Sequence, residues 1–119
     1  MKTAIDYANI YHERTSENRG SLPEMRAAVC TDLADGALLK VTNHIRPISC
    51  SGEIIVKVEY AGLGFQESLI SKGRYQFRVE PPFIPGTEVA GTIVDPGNSG
   101  RFRVGDKVLA LCGIGGLAE

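Results

Sequence analysis

The chain has 119 residues, 43% hydrophobic and 23% charged, with a formal net charge of -1. That is ordinary globular composition for one domain, and a near-neutral balance removes the electrostatic grounds for a nucleic-acid or anionic-membrane partner. No apolar run nears the ~20 residues of a membrane-spanning helix, and three widely spaced cysteines outside CxxC form fit a reducing, cytoplasmic setting.

Residues 1–24 read differently from the rest. Ala4, Ile5, Ala8 and Tyr11 recur at helical spacing, which predicts a short amphipathic helix over residues 3–13. The polar, periodless run from Glu13 to Ser21 then reads as a flexible extension ahead of the domain. No long apolar segment marks a secretory signal, and Asp6, Glu13 and Glu17 argue against a transit peptide. His12 is expected in solvent.

The domain itself is predicted over 25–119. Met25 to Thr31 and Leu38 to Thr42 read as two strands of a hairpin or meander, with Asp35-Gly36 as the turn. A loop punctuated by Pro47, Ser49, Ser51 and Gly52 follows, with His44 just before it as a surface or hydrogen-bonded residue. Glu53 to Tyr60 alternates with period two: Ile54, Val56, Val58 and Tyr60 on one face, Ile55, Lys57 and Glu59 on the other. A helix is predicted from Phe65 or Gln66 to Lys72, with Phe65, Leu69 and Lys72 on a shared face. Glu67 lies in its first turn, and Gly73 is placed to cap its end.

Three prolines and a glycine, Pro81-Pro82-Phe83-Ile84-Pro85-Gly86, then make a rigid corner. Beyond it, Val89 to Asp95 is apolar on both alternating faces and is expected to be covered on both sides. Pro96 to Gly100 is a turn, Gly105-Asp106 a tight turn or bulge, and Val108 to Cys112 another buried strand. Five or six short strands and one structural helix predict a mainly β domain, a small barrel or sandwich.

Few residues carry chemistry. Cys30, Cys50 and Cys112 are expected as small buried hydrophobes or idle thiols. No two Cys or His residues stand at ligand spacing, so no zinc site is predicted. The glycines from Gly113 to Gly116 follow a strand, but a pyrophosphate site needs a helix and a second parallel strand after them. A glycine loop between barrel strands is the better reading. Glu88 is the lone acid in an apolar stretch: either it accepts hydrogen bonds from turn amides, or it is a cleft residue near a reaction centre.

Five short motifs in fixed order then carry a resemblance. Val56-Lys57-Val58-Glu59-Tyr60-Ala61-Gly62-Leu63, Lys72-Gly73-Arg74-Tyr75, Pro85-Gly86-Thr87-Glu88-Val89-Ala90-Gly91, Val104-Gly105-Asp106-Lys107-Val108 and Gly113-Ile114-Gly115-Gly116-Leu117-Ala118-Glu119 are similar to the N-terminal half of the medium-chain dehydrogenase/reductases. The match is closest to their zinc-independent quinone oxidoreductase, or zeta-crystallin-like, branch. The resemblance implies a GroES-like, partly open β-barrel with one or two short helices. In whole members this domain forms the substrate side of a cleft, a Rossmann domain holds NADPH opposite, and hydride passes to a quinone or to the activated C=C of an enone or enal.

The resemblance also implies roles. Tyr75 would face the cleft, binding substrate or donating to a developing enolate oxygen, against the alternative of a half-buried loop aromatic. Phe65 would wall the nicotinamide, against ordinary helix-start packing. Glu88 matches the family turn. Zinc-dependent relatives carry Cys and His where this chain has Leu63-Gly64 and Thr87, so no metal is implied. Gly64 stands at the cofactor-contacting position where the branch usually has Asn, a lost hydrogen bond worth about 0.5–1.5 kcal/mol. Glu67 stands where it usually has Asp.

The Rossmann half and the strands completing the barrel are not among these residues. The 119 residues alone are therefore expected to be catalytically incompetent, to bind NADPH poorly and to self-associate through exposed sheet edges. A non-enzymatic interaction module on the same barrel is the alternative.

Overall fold

The computed structural model describes residues 23–33, 39–49 and 52–119. The expected helix over 3–13, the Asp35-Gly36 turn and Cys50 lie outside them. The described residues form five strands and one helix: β1 Glu24–Cys30, β2 Leu39–Ile45, β3 Ile55–Ala61, α1 Phe65–Ser71, β4 Glu88–Asp95 and β5 Lys107–Leu111. The domain is mainly β, as expected.

Two antiparallel sheets result, β1-β2 and β3-β4-β5, and they do not close on each other. Glu24 pairs with Ile45 and Cys30 with Leu39 across the first. β2 runs three residues further than Thr42 and so takes in His44, whose Nδ1 lies 3.2 Å from the Ile45 carbonyl oxygen. Between the sheets lies an apolar cavity of about 910 Å³, whose lining includes Val29, Val56, Val58, Ile93 and Val108.

The second sheet corrects three expectations. The register of β3 against β4 shifts twice, between Ile55 and Val56 and again between Val58 and Tyr60. The second shift places an extra residue, Glu59, on the strand. Tyr60 thereby leaves the face of Val58, pairs with Ala90 and stands 75% exposed. β4 is not covered on both sides: Val89, Gly91 and Ile93 are buried, while Glu88 and Val94 are exposed. β5 is likewise half-buried, with Leu109 87% and Leu111 86% exposed. Both strands are apolar on each face, but only the inner face meets another layer, because the neighbouring sheet lies on one side alone.

Two apolar clusters share β1. Met25, Ala27, Val29 and Ile84 form one, with Leu117 and Ala118 against it. Cys30, Ile70, Val79 and Phe83 form the other, packed by Leu33, Tyr75, Phe77 and Ile114. Val29 and Cys30 thus serve different clusters, as do Ile84 and Phe83. The two segments meet through paired backbone bonds, Cys30 N–H to the Phe83 carbonyl at 2.8 Å and Phe83 N–H to the Cys30 carbonyl at 3.1 Å. Full burial of each large side chain contributes about 1.5–3 kcal/mol.

Helix α1 ends as its sequence requires. Gly73 is left-handed at φ 65. Its N–H reaches the Ile70 carbonyl at 3.0 Å, and the Arg74 N–H reaches Leu69 at 2.9 Å. Its buried face is Glu67 and Ile70, whereas Phe65 opens the helix 78% exposed.

Candidate functional site

The site grows from the proline corner. Ile84, Pro85 and Gly86 are buried, and the Pro81-Pro82 bond is cis. The glycine-rich segment after β5 runs alongside. Gly115 N–H donates to the Ile84 carbonyl at 2.8 Å, Gly116 N–H to Gly86 at 2.9 Å and Leu117 N–H to Pro85 at 2.9 Å. Leu117 then passes to β1, its carbonyl accepting Ala28 N–H at 2.9 Å. The glycines are thus a backbone seam joining the corner to the first sheet. Their amides are spent on carbonyls and cannot cradle a pyrophosphate, so this loop does not fit a dinucleotide.

Thr87 follows the corner, and Gly64 opens α1. One carboxylate joins them. Glu67 Oε2 accepts the Gly64 N–H at 2.7 Å, while Oε1 accepts the Thr87 hydroxyl at 2.6 Å and the Thr87 N–H at 3.3 Å. The bond to Gly64 is half of a capping box, since glycine has no side chain to return the other half. Glu67 is 6% exposed. Burial pushes its pKa up, but the Thr87 hydroxyl and the Gly64 amide, with the amides of Glu67 itself and Thr87, outweigh it and hold the carboxyl below its usual range. Its charge is balanced by oriented N–H and O–H dipoles.

Glu88 is placed differently. It is exposed on the outer face of β4, its side chain against Gly62, where an added Cβ would meet its Cγ at 2.6 Å. The carboxylate that accepts turn amides is Glu67. Its sequence marks Glu67 only as a first-turn acid, and the one available signal is its spacing of three from the helix cap.

Around Glu88 the surface is apolar. Tyr60, Ala90, Leu109 and Leu111 share its shallow depression, and exposed Leu63 and Phe65 continue the chain from β3. Tyr75 is half-buried at the second core cluster. Its ring meets Phe77 edge-on at 5.0 Å, and its hydroxyl accepts from Gln76 Nε2 at 3.2 Å. No hydrogen bond among the described residues links Tyr75 to Phe65 or Glu88. No three His, Cys, Asp or Glu side chains gather as a metal site among the described residues.

Known proteins resemble this chain in sequence and fold. The sequence profile of the alcohol dehydrogenase GroES-like domain matches residues 50–119. Quinone oxidoreductase-like protein 2 of Bos taurus is 34% identical over 95 residues, covering 79% of this chain and 27% of that protein. A probable oxidoreductase from Mycobacterium abscessus superposes with a TM-score of 0.78 at 34% identity, over 83% of this chain and 32% of its own. The quinone oxidoreductase of Thermus thermophilus, solved also in complex with NADPH, gives 0.64 at 35% identity, over 77% and 27%. The chain therefore spans about a quarter to a third of these relatives.

Proposed function

Since the chain belongs to the alcohol dehydrogenase GroES-like domain family of the medium-chain dehydrogenase/reductases, we propose that it forms the substrate side of an NADPH-dependent, zinc-independent reductase of quinones, enones or enals. The observation that carries this reading is the exposed apolar band beside the corner, comprising Tyr60, Leu63, Phe65, Leu109 and Leu111. A lone domain gains nothing by showing such a band to water, whereas one wall of a two-domain cleft needs it.

NADPH would supply the hydride from a second domain. This chain's residues would shape the space that receives it. Phe65 and Leu63 exclude water and stack an apolar, planar acceptor. Tyr75 donates a hydrogen bond from its phenol to the oxygen on which negative charge develops, and because its hydroxyl accepts from Gln76 that contact does not use its proton. Glu88 stands at the rim of the apolar depression, beside Tyr60, Leu109 and Leu111. Gly64 offers the cofactor side only its carbonyl, its N–H being held by Glu67. The zinc-independent reading is supported by the donor set: a Thr hydroxyl and a Gly backbone are not the thiolate and imidazole that zinc sites use.

A cytoplasmic setting is part of the proposal; no helix among the described residues is long and apolar enough to cross a membrane. The test is an NADPH-oxidation assay with a panel of quinones and enones. It compares the chain alone with the chain joined to a dinucleotide-binding domain. Turnover only in the joined protein is expected. No turnover with any acceptor would overturn the reading.

A further inference from the structure

Glu67 is the buried charged residue among the described residues, and the reduction chemistry above makes no use of it. Gly64 and Thr87, which it joins, stand 23 positions apart in the chain, and neither belongs to an apolar cluster. This carboxylate joins the start of α1 to the residue after the proline corner, alongside the Gly62 N–H bond to the Glu88 carbonyl at 3.0 Å and the clustering of Ile70 with Phe83. Ionised, it accepts only, and it meets three donors. Protonated, it gains an O–H donor and loses the charge that strengthens all three bonds.

We propose that Glu67 is a charge-dependent latch: as a carboxylate it fastens the Gly64 amide to Thr87, and on protonation its hold on Thr87 weakens and the start of α1 loosens while the Gly62–Glu88 backbone bond keeps the strands paired. Phe65 follows Gly64, so the latch bears on the placement of a group assigned to the cleft, while Glu88 is held by the bond of its carbonyl to the Gly62 N–H. Its bearing on turnover, though not the latch itself, rests on that cleft reading. Glu67 is a positioning residue here and touches no reacting atom.

Few groups face it. From the segment after β5, Cys112 donates its N–H to the Thr87 carbonyl at 2.9 Å and its thiol to the Gly86 carbonyl at 3.4 Å. Burial first, and then the Glu67 charge, push that thiol up, so it stays neutral where Glu67 titrates. From β4, Glu88 lies against Gly62. From α1, Ser71 bonds the Glu67 backbone carbonyl and carries no charge. No charged side chain is among the causes acting on Glu67, so its titration is set by burial and by hydrogen bonds from uncharged donors and should resist salt.

The experiment follows the amide signals of Gly64 and Thr87 by NMR across acid pH in the 119-residue chain. Both should move together, with one midpoint below the ordinary glutamate range and the same midpoint at low and high salt. Glu67→Gln should abolish both titrations. Thr87→Val should raise the midpoint read at Gly64, and Thr87→Ser should restore it, a rescue that a merely space-filling contact would not show. Amides that do not titrate, that titrate apart, or that keep their titration in Glu67→Gln would overturn the latch. If Glu67→Gln does not fold, the Thr87 pair decides, since each removes at most one hydroxyl bond. The readout needs no substrate, so a joined enzyme that fails to turn over would count against the cleft reading and leave this result standing.

Discussion

A Cβ built on Gly86 would stand 2.7 Å from the amide nitrogen of Leu117. Gly86 also lies in the left-handed region at φ 104, so Gly86→Ala meets both strain and backbone that cannot step aside. We expect it to cost about 2–4 kcal/mol, read as a lowered urea midpoint. Gly100→Ala is the control: its φ is 62 and nothing lies within 4 Å of the new atom. Conformation alone should then cost about 1 kcal/mol.

Burial separates two kinds of apolar residue. Ile70 is 1% exposed in the second cluster, and Ile70→Ala should cost about 2–5 kcal/mol. Leu109→Ser and Leu111→Ser should each stay within about 0.5 kcal/mol. The double variant should instead reduce concentration-dependent association in sedimentation, because these side chains lie outside the fold's own core.

Acid should destabilise the chain. Glu67 is held low as described, Glu59 by Lys107 and Thr92, Asp95 by Ser49 and Gly97, and Glu119 by Arg26. A carboxyl whose folded value is depressed contributes stability above its unfolded value, about pH 4. That stability is lost as pH falls through the folded value. Glu59 and Glu119 owe part of their shift to Lys107 and Arg26 at the surface, where salt screens such pairs. In high salt the remaining acid sensitivity should therefore belong largely to Glu67 and Asp95, which are held by uncharged donors. Glu67→Gln should cost about 1–3 kcal/mol at neutral pH and flatten the dependence, measured as urea midpoints at the two ends of the range.

Tyr75→Phe removes one hydroxyl, whose bond is an exposed contact with Gln76. Stability should change by no more than about 0.5 kcal/mol. In the joined enzyme, loss of a donor to the developing oxyanion should slow kcat about a hundredfold. Unchanged kcat would return Tyr75 to a packing role.

Local signals in the sequence account for the strands, the helix and its glycine cap, since each rests on neighbours a few positions apart. The corner is legible as well, because prolines and Gly86 leave the backbone few options. The buried carboxylate is not. A glutamate in the first turn of a short helix usually faces water, and only the tertiary meeting with Thr87 makes it otherwise. Tyr60 escapes the period-two reading because a bulge shifts parity without changing the apolar pattern before it. Leu109 and Leu111 look interior in sequence because an apolar run shows what could be covered, not whether a second layer exists to cover it.

The glycine seam has a mechanical consequence. Leu117 and Glu119 bond β1 through Ala28 and Arg26, while Gly115 and Gly116 bond the proline corner. Arg26 also grips the Glu119 carboxylate. Tension applied at Glu119 would load β1 and the corner together, in shear across several bonds rather than one at a time. Whatever tugs on that end would be felt at Thr87, the residue that follows the Gly86 carbonyl on which Gly116 is fastened.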